Sequence, residues 1–371
     1  MLRFLPNIKR QIKKVVVISD AGRDHDDELA LTAAAGLMRA GVISIECVIA
    51  NLKPSLMRAR LIKGILDTVD LKNVPVGVGT VVNENSIPQP YEFDASYLSE
   101  QQSFPDGQEL LTETFRNAED NSLVLLLISG LTDANLFLKN NLELAKSKLI
   151  NVVIIGGVLT VNNDVKRDTD GHIMPDESYN HKVDMEAATS FYKIAQTAKI
   201  PLTIVSRHSV MACAITPKFY DDLATFDSPI GKRLCAAQAH SIQHLWRRVF
   251  LESNDPKREG LPPYCNKAWF LKTFTNNLDD TKNLTQNDKV WPYVTKINAY
   301  DPIAMLAAAC PYLFTPFKTR TGATENLIIG LNSDITGIDN PDKIRRLLTQ
   351  LTAAGLNSQS IELSPSILAR H

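Results

Sequence analysis

The stretch Lys14-Val15-Val16-Val17-Ile18-Ser19, followed by Asp20-Ala21-Gly22-Arg23-Asp24-His25-Asp26-Asp27-Glu28-Leu29-Ala30-Leu31, decides how the chain is read. Its first part is β-branched and apolar without alternation, the mark of a strand buried on both faces. Its second part is a polar turn that runs into a helical pattern over residues 26–40, DDELALTAAAGLMRA, closed by Gly41. Strand, acidic turn and helix thus follow one another within one short unit.

Moving outward, the same kind of apolar run recurs at residues 44–50, 74–78, 122–129, 151–155 and 201–205. Helical patterns lie between and after them at 54–66, 108–117, 133–144 and 185–195. Strand and helix in alternation predict βαβ crossovers and an α/β fold: an open, mainly parallel sheet flanked by helices. Residues 217–292 read as helices and loops. A helix is expected at 301–309, a hairpin or a strand and loop at 325–338, and a final helix at 341–351. No Pro/Gly/Ser linker divides the chain, so residues 15–371 are read as one domain, with 318–371 a C-terminal extension.

Composition narrows the function. Lys and Arg number 40 against 41 Asp and Glu, a net charge of -1, and hydrophobic residues make up 44%. A disordered chain would be poorer in apolar residues. A chain whose main partner is nucleic acid or an anionic membrane would be basic, and no apolar run approaches the length of a membrane span. The five cysteines are scattered and form no CxxC pair, so a reducing, cytoplasmic setting is expected. Residues 1–14 carry five Lys or Arg and no acid. They read as a basic lead-in, with organellar targeting as the alternative.

The chemistry sits in the acidic turn. Asp20, Asp24, Asp26, Asp27 and Glu28 place five acids within nine residues at the carboxyl end of the first strand, where open α/β sheets bind ligands. A helix N-terminus favours an acid or two by about 0.3–1 kcal/mol each, and Asp26 can serve as an N-cap. Five acids exceed that need. A hard divalent cation, which takes several oxygen ligands, is the economical explanation, with a solvated charged loop as the alternative. The turn lacks GxGxxG and GxxxxGK[ST], so it is no nucleotide-phosphate cradle.

These residues resemble the inosine-uridine-preferring nucleoside hydrolases. Residues 19–31 match the motif variant DTDxGxDxDDAxAL without a gap, with Ser19 at a Thr position and Glu28 at an Ala position. The resemblance continues in order through CVIAN (47–51), VPVGVG (74–79), ISGLTDA (128–134), IGGV (155–158), Asn180 with VDMEAA (183–188), and YDPIA (300–304). It implies Ca²⁺ held by Asp20, Asp27, Asp301 and the backbone carbonyl of Ile128. It implies ribose contacts from Asp26, Asn51 and Asn180, and Asp20 as general base. The implied activity is hydrolysis of a ribonucleoside by an activated water, in purine or pyrimidine salvage, by a homodimer or homotetramer.

Three departures mark the substrate side. Tyr300 stands where many members place a His that protonates the leaving base, and serves either as that acid or as a base contact. His172 stands at an Asn position, and Ser178 stands where a substrate-holding Glu is usual, so Asp176 or Glu177 is expected to take over that hydroxyl. Trp269 is a further candidate base contact. His240 and His244 have helical zinc spacing without a third ligand. His208 reads equally as a site residue or a structural one. Residues 83–91 and 247–263 are candidate lid loops. Two alternatives stay open: a hydrolase of this fold acting on a modified nucleoside or other N-riboside, and a non-catalytic nucleoside-binding protein.

Overall fold

The computed structural model describes residues 12–22, 24–82, 88–258, 261–276 and 283–357. Most of the basic lead-in, parts of both candidate lid loops and the last residues of the C-terminal extension lie outside these.

The strands are β1 (Lys13–Ser19), β2 (Ile43–Ala50), β3 (Val76–Val78), β4 (Leu123–Leu127), β5 (Leu149–Ile155), β6 (Thr160–Val161), β7 (Asp164–Val165), β8 (Leu202–Val205), β9 (Phe317–Thr321) and β10 (Thr324–Ile329). Eight of them form one sheet in the order β3-β2-β1-β4-β5-β8-β10-β9, and β6 and β7 form a separate hairpin. All pairings in the sheet are parallel except β10 with β9. The chain builds outward from β1 to β3, then returns and builds the other way from β4. The reversal falls between β1 and β4, and their carboxyl ends therefore border the crevice of a topological switch point.

The helices are α1 (Asp26–Arg39), α2 (Ser55–Thr68), α3 (Gly107–Asn117), α4 (Thr132–Asn140), α5 (Leu142–Lys148), α6 (Tyr179–Lys182) and α7 (Met185–Thr197). After β8 follow α8 (Arg207–Ala212), α9 (Pro217–Ala224), α10 (Pro229–Arg248), α11 (Lys267–Phe274), α12 (Tyr300–Ala309) and α13 (Pro341–Leu356). They cover both faces of the sheet. Alternation along β1 sends Val15 and Val17 into a core shared with α1, α10 and α12. Val16 and Ile18 go into a second core against α3, α4 and α7. That two-sided burial is why the strands read as unbroken apolar runs.

Two elements differ from the expectations. The helical pattern over 133–144 is two helices, because Asn141 adopts φ -134 between them. Residues 318–357 pack into the rest of the domain. The antiparallel strand β9, unread in the sequence, and β10 complete the sheet, and α13 packs on α1. Arg39 of α1 clamps the end of α13 by donating to the carbonyls of Gly355 and Asn357, each at 2.9 Å.

Candidate active site

The acidic turn leaves β1 at the switch point and opens α1. Asp20, Asp26 and Asp27 are buried, and Asp24 is exposed. Asp27 is anchored from β1: Ser19 Oγ donates to its Oδ1 at 2.5 Å, and the Asp20 amide reaches the same oxygen at 3.2 Å. The buried Arg58 guanidinium of α2 holds the turn's backbone, donating to the carbonyls of Asp20 and Ala21. Asp301 arrives from the first turn of α12. The amides of Tyr300 and Asp301 donate to Asp26 Oδ2 at 2.9 and 3.4 Å. The N-terminus of α12 is thereby aimed at an acid, as its dipole favours.

Packing these carboxylates together perturbs them. Burial, the charge of Asp24 and opposing backbone hydrogen bonds leave the Asp26 carboxyl at about 8. Burial and the charges of Asp20 and Asp26 raise Asp27 well above the usual range. Burial and Asp26, Asp27, Asp24 and Asp20 raise Asp301 in the same way. Oxygen atoms of Asp24, Asp26 and Asp27 lie within 4.8 Å of one another. A set of hard oxygen donors whose charges oppose one another fits a hard divalent cation, which would relieve the repulsion.

Asn51 follows β2 beside this turn, its amide bound to the Ser19 carbonyl at 3.0 Å. It is fully buried, its Nδ2 donates to the Gly130 carbonyl at 3.0 Å, and its Oδ1 accepts from Ser129 Oγ. Leu52, which follows it, is held at φ 61, a left-handed conformation that branched-chain neighbours rarely share and that strain-bearing sites do. Ile128 follows β4, its amide bound to the Ile18 carbonyl at 3.0 Å. In the ISGLTDA stretch the buried Asp133 accepts from Thr80 Oγ1 at 2.8 Å, so this acid ties loops together.

On the far side of the crevice, glycines make room for polar groups. A Cβ on Gly157 would meet Asp176 Oδ2 at 2.1 Å, and one on Gly156 would meet the His181 ring at 2.6 Å. Asp176 therefore packs against the end of β5, accepting from the Ser178 amide at 2.9 Å and contacting His181 Nδ1 at 3.1 Å. Burial raises its carboxyl, but the hydrogen bond and charge of His181 bring it net below the usual range. Glu177, one residue on, is exposed. Of the two acids expected to share the hydroxyl-holding role, Asp176 is the one turned inward. Asn180 is half-buried on α6.

His172 is not brought to the cluster. Its ring lies against Asp168 at 3.2 Å and Thr197 at 3.1 Å. Thr197 ends α7, which feeds the amino end of β8, opposite the acids. An excursion of the chain beyond β5 carries the residue away, and motif alignment alone does not show that. Trp269 is half-buried and packs edge-on against Phe274 at 5.8 Å. Trp246 is core, its Nε1 donating to the Thr285 carbonyl at 2.9 Å. His240 stacks on Tyr91 at 6.0 Å and His244 tilts toward it at 6.5 Å, so the pair flanks an aromatic ring. Burial and Arg207 lower the His208 imidazole.

Tyr300 is driven by burial and by Asp26 to about 12, against the opposing charge of Arg207. It keeps its phenolic proton at neutral pH. Four neighbours escaped the sequence reading. Tyr220 of α9 is fully buried, its hydroxyl has no hydrogen-bond partner among the described residues, and the charges of Asp26 and Asp24 reach it. Tyr264 and the exposed Arg207 both act on Tyr300. Arg233 of α10 reaches the turn through Glu28 at 3.1 Å. None belongs to a spaced motif, and only the packing of the helical half onto the turn reveals them.

Known proteins share the fold. The effector protein XopQ, solved in complex with adenosine diphosphate ribose, is 27% identical with a TM-score of 0.78, covering 94% of each chain. The effector protein XOO4466 is 26% identical with the same TM-score, covering 94% of this chain and 95% of its own. The purine-preferring ribonucleoside hydrolase from Gardnerella vaginalis shares the fold at 15% identity and a TM-score of 0.59, covering 93% of this chain and 99% of its own. No curated protein matches the chain significantly. The model of the inosine-uridine preferring nucleoside hydrolases matches residues 15–342, and the chain, with its acidic turn at the switch point, belongs to that family of N-glycosyl hydrolases.

Proposed function

We propose that the protein hydrolyses the N-glycosidic bond of ribonucleosides to ribose and free base, with Ca²⁺ as its cofactor. The observation that carries this reading is the convergence of Asp20, Asp26 and Asp27 with Asp301, which meets Asp26 across 275 residues of sequence. Asp20, Asp27, Asp301 and the Ile128 carbonyl would hold the ion. Bound there, such an ion supplies positive charge that acidifies water and steadies hydroxyl oxygens.

The chain's own residues do the rest. Asp20 accepts the proton of the attacking water as general base. Asp26 and Asn51 hold ribose hydroxyls, with Asp176 and Asn180 across the crevice. The buried carboxylates favour the positive charge that develops on the sugar as the base departs. Tyr300, held at about 12, is poorly matched to protonating a leaving base at neutral pH. It serves as an aromatic wall or a hydrogen-bond donor.

A second reading, an N-riboside with a larger 5′ substituent, is favoured by two observations. Arg207 places a cation beside Tyr300 at the crevice, and the effector solved with adenosine diphosphate ribose is 27% identical. A panel of nucleosides and adenosine diphosphate ribose, assayed by chromatography of the released product with and without chelator, tests both. Chelator-sensitive release of base from nucleosides is expected. No release from any nucleoside overturns the first reading.

A further inference from the structure

We propose that Arg233 is a positioning residue for the acidic turn: by gripping Glu28 and the Glu92 carbonyl together, it fixes the orientation in which Asp26 and Asp27 face the crevice. The inference rests on the metal site proposed above.

Glu28 belongs to the acidic turn by sequence but not by direction. Successive helical residues point about 100° apart, so Glu28 turns away from the face that Asp27 presents. Its carboxylate accepts from Tyr97 Oη at 2.7 Å and meets His25 Nδ1 at 3.1 Å and Arg233 Nη1 at 3.1 Å. Glu28 and His25 are fully buried, and Arg233 is nearly so. In the resembled motif this position is Ala. A buried carboxylate there has to be paired, and Arg233 supplies the fixed charge.

The turn needs an outside hold. Among the described residues the N-terminus of α1 has no side-chain cap hydrogen bond. Besides Arg58, Ser19 and the amides of α12, two further distant pieces of chain hold it. From α10, Arg233 Nη2 donates to the Glu92 carbonyl at 2.5 Å. From the segment around Glu92, the Phe93 ring lies where a Cβ on Gly22 would approach it to 2.8 Å, and Tyr97 binds Glu28. Gly22 at φ 134 lets the turn pass under that ring. A planar guanidinium presents its donors as a rigid fork, which an ammonium on a flexible stem does not. The hydrogen-bond partners of Arg233 are Glu28 and the Glu92 carbonyl, so it acts through the turn.

The test is a calorimetric Ca²⁺ titration of wild type, Arg233→Met, Glu28→Gln and the double variant, alongside thermal melts and steady-state kinetics. Each single variant is expected to weaken Ca²⁺ binding tenfold or more, and to raise KM more than it lowers kcat. The double variant leaves no unpaired charge. It should recover thermal stability while its Ca²⁺ affinity stays low. Wild-type affinity in the single variants, or recovery of affinity together with stability in the double, overturns the strut. Should Arg233→Met not fold, Tyr97→Phe removes only one hydroxyl from Glu28. It is expected to weaken Ca²⁺ binding about threefold, and unchanged binding overturns the proposal. A wild-type protein that takes up no divalent cation overturns the metal reading and this inference with it, whereas binding by wild type and variants alike overturns the strut alone.

Discussion

Without metal, the protein should become less stable as pH rises from about 4 to 8. Asp26 titrates at about 8 in the folded chain against a reference of 3.8. The folded state therefore keeps a proton that the unfolded state has already released. Its contribution is fully present below the unfolded value and is lost as pH rises through the folded one. Within that window each such acid costs about 1.4 kcal/mol per pH unit. Asp27 and Asp301 are raised for the same reasons, burial and neighbouring carboxylates, so the observed slope should exceed that of one group. Glu28 and Asp176 are shifted down. Their contributions are lost only as pH falls below the carboxylate range, outside this window.

Ca²⁺ should counteract the trend, because it binds the deprotonated acids and displaces their protons. At a free concentration about 100 times Kd it stabilises by about 2.7 kcal/mol. An unfolding entropy of about 2.1 cal/mol/K per residue over 371 residues makes that a shift in Tm of roughly 3 °C. Scanning calorimetry in EDTA and in Ca²⁺ at about pH 5, 6.5 and 8 checks this. Tm in EDTA should fall across the series, and the gap that Ca²⁺ opens should widen. A Tm in EDTA that rises toward pH 8, or an equal gap at all three values, would refute the reasoning that these carboxylates form one cation site.

Replacing Asp27 by Ala should abolish both Ca²⁺ binding and turnover, measured by calorimetry and by release of free base; activity in that variant sinks the mechanism. Tyr300→Phe should change kcat by less than about threefold and leave the pH profile alone, since a phenol at about 12 is a poor proton donor at neutral pH; a large fall in kcat would make the hydroxyl catalytic. Asp176→Asn should raise KM several-fold with little change in Ca²⁺ affinity, and the reverse pattern would move Asp176 into the ion's shell. Leu351→Ala, deep in the contact of α13 with α1, should cost about 2–5 kcal/mol in denaturant melts; a cost below about 1 kcal/mol would make that helix peripheral.

What the sequence discloses follows from how local each cause is. The strands were legible because burial on both faces leaves continuous apolar runs, and β1 begins one residue before the quoted run and ends where that run ends, at Ser19. The acidic turn was legible because its acids are neighbours in sequence. β9 was not, since FKTRT at a sheet edge has a single apolar residue and takes its identity from its partner β10. His172 was misplaced because a motif fixes order along the chain, while an intervening hairpin sets where the chain goes. Glu28 is the most telling residue. In sequence it is one more acid in a metal-like cluster. In the fold its carboxylate meets Tyr97 and Arg233, both far from it in the chain, beside His25 of the turn itself. The turn therefore carries two electrostatic systems back to back. On one side, acids repel one another until a cation joins them; on the other, an acid is already neutralised by Arg233. The second system supplies the rigidity that the first requires, because mutually repelling carboxylates hold a geometry only when the backbone beneath them cannot relax.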